Sequence, residues 1–176
     1  MPTNSIKQTS IDEALKQRIL ILDGAMGTCI QKFGLTEADF RGSEFANHPV
    51  MIKGNNDILN LTAPHVIAEV HQNYIDAGVD ILETNTFSSN KISQHEYQCG
   101  HLVRRLNIAA AQNARRVADR CTSRKVWVAG SMGPTSKTLS LSPDINHPEY
   151  RAISFDELVE AYTEQVESLI EGGVEI

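Results

Sequence analysis

The stretch that decides the fold is Glu69-Val-His-Gln-Asn-Tyr-Ile-Asp-Ala-Gly-Val-Asp-Ile81, a helix end, a glycine and the start of an apolar strand. The same pattern returns as Glu164-Gln-Val-Glu-Ser-Leu-Ile-Glu-Gly-Gly-Val-Glu-Ile176. Helices that lead through glycine into apolar strands are the units of parallel α/β sheets. The second copy ends where the first continues into its strand. We therefore expect an N-terminal piece of a longer protein, although two amphipathic helices can also resemble each other by chance.

Working outward from this repeat, apolar runs predict further strands, and helical spacing predicts the helices between them. Strands are predicted at residues 18–22, 79–83 and 126–130, each buried on both faces. Helices are predicted at 12–18, from Pro64 to Ala77, from Leu102 to Cys121, and onward from a capping box of Ser154 and Glu157. Residues 24–61 and 131–153 are predicted to be mainly loop, the first with one or two short helices, and 88–99 a polar loop or short helix.

The alternation of strands and helices predicts an α/β fold with a parallel sheet and right-handed crossovers. Four strands within 176 residues fit the N-terminal half of a (β/α)8 TIM barrel, whose full size is about 250 residues. A doubly wound open sheet is the competing architecture.

Composition excludes several classes of protein. The 16 basic and 22 acidic residues leave a formal charge of −6, and without a Lys/Arg-rich run no nucleic-acid partner is expected. No apolar stretch approaches the ~18 residues of a membrane span, and residues 1–18 lack the apolar core of a secretory signal. Three cysteines without a CxxC motif indicate reduced thiols in the cytoplasm.

Small and polar residues follow each of the first three predicted strands, at the edge where parallel α/β folds place their sites. Asp23 follows the first strand and could accept a hydrogen bond from a substrate ammonium, or could instead cap the next helix. Gly24 and Gly27 leave backbone amides open to a substrate carboxylate or a phosphate. Asn85 and Thr86 offer neutral donors and acceptors, or simply make a strand-end turn.

The histidines and cysteines of the sequence do not have the spacing of metal ligands. The six histidines form no HExxH or similar pair, and a zinc site needs about three protein ligands. Cys99 and Cys121 lie in or beside the long predicted helix, where packing is the simplest role. Cys29 is the only thiol near the predicted rim, so no metal site is predicted in this chain.

Four motifs occur in order along the chain, together with Thr36-Glu-Ala-Asp-Phe-Arg-Gly42 and Ser142-Pro-Asp144. They are Ile21-Leu-Asp-Gly-Ala-Met-Gly-Thr28, Lys53-Gly-Asn-Asn-Asp57, Gly78-Val-Asp-Ile-Leu-Glu-Thr-Asn-Thr-Phe87 and Gly130-Ser-Met-Gly-Pro-Thr135. From about residue 15 to the end, the chain resembles the homocysteine-binding domain of the cobalamin-dependent methionine synthases. DGAMGT and ETNTF are similar to the wider homocysteine methyltransferase family, and KGNND narrows the resemblance to the cobalamin enzymes.

The resemblance implies a (β/α)8 barrel that binds zinc and homocysteine and passes a methyl group from methylcobalamin to the homocysteine thiol, giving methionine. Methyltetrahydrofolate recharges the cobalamin. Asp23 would hold the substrate ammonium and the amides around Gly24 and Ala25 its carboxylate. Asn85, Thr86 and Ser131 would line the same rim. The zinc cysteines and the folate, cobalamin and activation domains are expected beyond Ile176, so the isolated chain is expected to bind neither cofactor and to be inactive.

Two other functions stay open on the residues alone. A lyase or aldolase could use Asp23 as general base, but it would want a lysine at a strand end, and none of the three strands ends in one. A non-catalytic binding or scaffold fragment is the third possibility.

Overall fold

The computed structural model describes residues 10–176, so the first half of the segment scanned for a secretory signal lies outside it. Two strands are β1 (Ile81–Glu83) and β2 (Trp127–Ala129). Short 3₁₀ turns span Asn56–Ile58 and Gly100–Leu102. The α-helices are α1 (Ile11–Gln17), α2 (Met26–Gln31), α3 (Glu37–Arg41), α4 (Leu59–Thr62), α5 (Pro64–Ala77), α6 (Lys91–His95), α7 (Val103–Ala118) and α8 (Phe155–Gly172).

The sheet is parallel and keeps the order of the sequence. β1 pairs with β2, Leu82 lying opposite Val128. Leu22 forms a parallel bridge to Ile81 on the free side of β1. Beyond β2, the Ile176 amide donates to the Val128 carbonyl, and the Gly130 amide donates to the Ile176 carbonyl, which is parallel pairing. Four segments thus lie side by side in chain order. That order favours consecutive barrel units over a doubly wound sheet, where the order reverses.

Residues 18–22 were predicted to form a strand that is buried on both faces, and the predicted burial is wrong. Only Leu22 pairs with a strand, and the side chains of Ile19 and Ile21 are 84% and 53% exposed. The segment lies at the edge of the sheet, and the bidentate ion pair between Arg18 and Asp80 holds it there. An apolar run predicts an extended chain, but its burial depends on neighbours that the run itself does not contain.

Both copies of the sequence repeat form the same structure. Gly78 is the C-cap of α5 and Gly173 the C-cap of α8, each with φ of +100°, a left-handed conformation that glycine adopts without steric cost. Each glycine turns the chain into a strand segment. Pro64 opens α5 and the Ser154 capping box opens α8, as predicted.

The core lies between the sheet and the helices. Leu82 and Val128 are fully buried and pack with Ala114 and Val117 of α7. α7 also packs closely against α8, so closely that a Cβ on Gly172 would lie 2.6 Å from the Cβ of Ala111. A second cluster of buried apolar residues joins α4 and α5 to the segment 30–59, which contains more short helices than predicted. In residues 10–176 no helix combines the length and apolarity that crossing a bilayer requires.

Candidate functional site

A cavity of about 410 Å³ opens at the carboxyl ends of the strand segments. Five of the predicted site residues line it: Ala25, Gly27, Asn85, Thr86 and Ser131. Asp23 and Gly24 do not line it, but Asp23 adjoins it through the backbone of Glu83, which does. The structure therefore brings the three predicted strand ends together around one space.

Asp23 is partly buried, and its carboxylate oxygen Oδ1 accepts the backbone N–H of Glu83 at 2.8 Å. Burial raises the pKa of Asp23 to about 7, and the charge of Glu83 adds to that increase, while the hydrogen bond from the Glu83 amide opposes it. Asp23 does not cap a helix, because α2 begins at Met26 after Ala25 without a side-chain cap. The capping alternative is therefore wrong, and the prediction of an ammonium contact stays open.

The turn after Asp23 has space around it. A Cβ on Gly24 would meet no atom within 4 Å. Ala25 has the left-handed backbone conformation, with φ of 50° and ψ of 30°, which is uncommon for a residue with a side chain. Ala25 and Gly27 line the cavity, so backbone at this turn faces the space where a substrate carboxylate was predicted. The prediction itself stays open.

The loop after β1 (residues 84–89) forms one wall of the cavity and is held through its carbonyl groups. The Gly133 amide donates to the carbonyl of Phe87 at 3.0 Å. Buried side-chain amides hold the other carbonyls from 85 to 89: Asn60 donates to Asn85, Gln165 to Thr86, Gln94 to Ser88, and Asn107 to Ser89. Since buried carbonyls without partners are costly, this network fixes the conformation of the wall.

The predicted rim residues differ in what they can offer a ligand. Thr86 is fully buried, and its hydroxyl donates to the carbonyl of Ser131 at 2.7 Å and meets the hydroxyl of Thr84. The Asn85 side-chain amide donates to the carbonyl of Asn56. The Ser131 hydroxyl hydrogen-bonds to none of the residues that the structure describes. Thr86 and the Asn85 amide nitrogen therefore shape the wall, while the Ser131 hydroxyl is open to a ligand.

Sequence reasoning missed Asp57, although the KGNND motif that carries it was quoted. Asp57 lines the cavity and is 5% exposed. Its Oδ1 accepts the hydroxyl of Ser89 at 2.7 Å and the amide of Ser88 at 3.2 Å. Burial raises its pKa to about 6, against the effect of these two hydrogen bonds. An acidic residue directly before the apolar run Ile58-Leu59 was the available signal.

A metal site is not assembled by the described residues. Between residues 10 and 176 no three His, Cys, Asp or Glu side chains are arranged to hold a metal ion. Cys29 lies 3.7 Å from the Tyr74 hydroxyl beside a separate cavity, while Cys99 is buried. The residues from 10 to 176 therefore do not supply the donor set that zinc requires.

Among the solved structures that resemble this chain are three forms of the homocysteine methyltransferase MmuM from Escherichia coli. The metallated form is 20% identical with a TM-score of 0.67, over 93% of this chain and 54% of MmuM. The oxidized form is also 20% identical, with a TM-score of 0.66 over 92% and 53%. The chain thus spans about half the length of the structures it matches, and at this identity the likeness shows the fold alone.

The family model named Homocysteine S-methyltransferase matches residues 20–176. That range contains both strands, the whole cavity wall and every predicted site residue. With the α/β fold shared with MmuM, the match shows that this chain belongs to the homocysteine S-methyltransferase family.

Proposed function

We propose that this chain binds homocysteine as part of an enzyme that transfers a methyl group to the homocysteine thiol. The observation that carries the proposal is the cavity at the strand ends, which lies within the range matched by the family model. Acidic side chains and exposed backbone amides at one rim suit an amino acid, which carries an ammonium and a carboxylate.

The finer proposal is an enzyme of the cobalamin-dependent methionine synthase type, acting in methionine biosynthesis in the cytoplasm. The motif Lys53-Gly-Asn-Asn-Asp57 supports it. Methylcobalamin would be the methyl donor and methyltetrahydrofolate would recharge it. On this proposal residues 1–176 are the N-terminal part of the barrel. The zinc cysteines, the rest of the barrel and the folate, cobalamin and activation domains would lie outside this chain.

The residues of this chain would act as the clamp for the amino-acid end of the substrate. Asp23 would hold the ammonium, and the backbone around Gly24 and Ala25 would hold the carboxylate. Fixing these two groups orients the thiol, and orientation alone can lower a barrier by several kcal/mol. A free thiol with a pKa near 8.5 is mostly protonated at neutral pH. The cysteines proposed to lie outside this chain would hold the zinc, which would supply the acidity needed to form the thiolate.

The proposal is tested with Asp23→Asn in the protein that carries this chain. Losing a charge-assisted hydrogen bond costs about 1.5–3 kcal/mol, so homocysteine binding should weaken about 10- to 150-fold. Zinc content should stay unchanged. The matched control is Glu167→Gln, which removes one exposed carboxylate of α8 and should leave binding unchanged.

Two outcomes would count against parts of this proposal. Unchanged homocysteine affinity in Asp23→Asn would remove Asp23 from the site. Homocysteine binding without methyl transfer from methylcobalamin would favour the alternative, a non-catalytic binding or scaffold fragment. The lyase or aldolase alternative gains no support from the cavity, because no lysine lines it within the described part of the chain.

A further inference from the structure

The charged residues that line the cavity are all acidic, among those that the structure describes. Two acidic side chains line it, Asp57 and Glu83, and no Lys, Arg or His does so among residues 10–176. A cavity with this lining attracts a positively charged group and disfavours a negatively charged one. Asp57 is the more deeply placed of the two, at 5% exposure, whereas Glu83 is of intermediate exposure.

The hydrogen bonds of Asp57 are unevenly distributed between its two oxygens. Oδ1 accepts both the Ser89 hydroxyl and the Ser88 amide, whereas Oδ2 accepts no hydrogen bond from any other residue that the structure describes. An ionised carboxylate has about four acceptor positions, and buried polar atoms are nearly always hydrogen-bonded. Oδ2 of Asp57 therefore lacks a hydrogen-bond donor, and a molecule bound in the cavity can supply one.

Asp57 is also held rigidly. Its own carbonyl accepts the side-chain amide of Asn60 at 2.8 Å, and the neighbouring carbonyl of Asn56 accepts that of Asn85 at 2.7 Å. With Oδ1 fixed by the loop after β1, the direction of Oδ2 is set before any ligand arrives. Such preorganisation lowers the cost of binding.

We propose that Asp57 is a further substrate-binding residue, whose free carboxylate oxygen accepts a hydrogen bond from the ammonium group of a bound amino acid. The proposal rests on the proposed function in naming homocysteine as that amino acid. Asp57 would then contact the cationic end of a ligand inside the cavity, whereas Asp23 only adjoins the cavity through the Glu83 amide. The carboxylate would be left to the turn at Ala25 and Gly27, which lines the same cavity.

The test combines two variants with two ligands. Asp57→Asn keeps an oxygen for Ser88 and Ser89 but puts an NH2 group where Oδ2 was. Ser89→Ala is the matched control, because it removes a partner of Oδ1 and leaves Oδ2 untouched. The ligands are homocysteine and 4-mercaptobutanoate, which lacks the amino group, and their affinities are measured by calorimetry on the protein that carries this chain.

Asp57→Asn should weaken homocysteine binding about 10-fold or more and leave 4-mercaptobutanoate binding unchanged, while Ser89→Ala should not discriminate between the ligands. Equal losses for both ligands in Asp57→Asn, or none, would overturn this proposal and leave the proposed function standing. A wild-type protein that binds no homocysteine would overturn both.

A crystal structure of the wild-type protein with homocysteine decides the matter even if Asp57→Asn fails to fold. The ligand nitrogen should lie within about 3.2 Å of Oδ2 of Asp57. A homocysteine nitrogen bound elsewhere would overturn the proposal.

Discussion

Gly133 is the residue at which a single methyl group should disturb the cavity wall most. A Cβ on Gly133 would lie 2.5 Å from the carbonyl oxygen of Phe87 and 2.7 Å from its ring. The ring is 60% exposed and can turn away, but the carbonyl cannot, because the loop of residues 84–89 is held by hydrogen bonds on both sides. The Gly133 amide also donates to that carbonyl, so Gly133→Ala strains the backbone and the hydrogen bond together.

The expected cost of Gly133→Ala is the sum of two effects. Overpacking costs about 1–3 kcal/mol, and a weakened backbone hydrogen bond about 0.5–1.5 kcal/mol, so the free energy of unfolding should fall by about 1.5–4.5 kcal/mol. For a domain of this size the melting temperature should fall by roughly 3–18 °C. Urea unfolding and thermal denaturation measure both quantities.

The control is Gly24→Ala, where the added Cβ meets no atom within 4 Å. Its free energy of unfolding should stay within about 0.5 kcal/mol of the wild type. Equal stability of Gly133→Ala and Gly24→Ala would show that the hydrogen bonds to the carbonyls of residues 84–89 do not hold this loop rigidly.

Three further perturbations follow from particular contacts. Burial raises the pKa of Asp23 to about 7, and only the ionised carboxylate attracts an ammonium. Homocysteine affinity should therefore fall as the pH decreases from 7.5 to 5.5. In Asp23→Asn the part of this pH dependence that comes from Asp23 should disappear. Asp80→Asn should lower the free energy of unfolding by about 1–3 kcal/mol, because Asp80 is 3% exposed and takes two hydrogen bonds from Arg18. The Arg18 hydrogen bond lowers the pKa of Asp80, so its stabilising effect should be present above about pH 4 and be lost as the pH falls further. Gly172→Ala should destabilise by about 1–3 kcal/mol in urea unfolding, because its Cβ would meet that of Ala111 at 2.6 Å, and Ala111→Gly should restore part of the loss.

Local signals in the sequence determined the helices and the strand positions. Pro64 and the Ser154 capping box mark helix starts, and Gly78 and Gly173 mark helix ends. These signals act within a few residues, through backbone conformation and nearby hydrogen bonds, so they can be read without knowing the fold. The alternation of strands and helices also predicted a parallel sheet, and the pairing of β1 with β2 confirms it.

The edge of the sheet at which the cavity lies was also predictable from the sequence. Parallel strands place their carboxyl ends at one edge, so three polar strand ends had to meet. Ala25, Asn85, Thr86 and Ser131 do line one cavity. Their roles toward a substrate stay a prediction.

Only the tertiary structure decided which side chains are exposed and which polar atoms at the cavity have a hydrogen-bond partner. The exposure of Ile19 and Ile21 depends on whether another strand covers them, and the apolar run is the same in either case. The Thr86 hydroxyl donates to the carbonyl of Ser131, 45 residues away, whereas Oδ2 of Asp57 receives no hydrogen bond from the other residues between 10 and 176. Hydrogen bonds between distant segments and the burial of a carboxylate depend on the packing of the whole domain. No pattern of neighbouring residues encodes them. For that reason the sequence predicted which strand ends meet around the cavity, but it could not show which atoms there lack a hydrogen-bond partner.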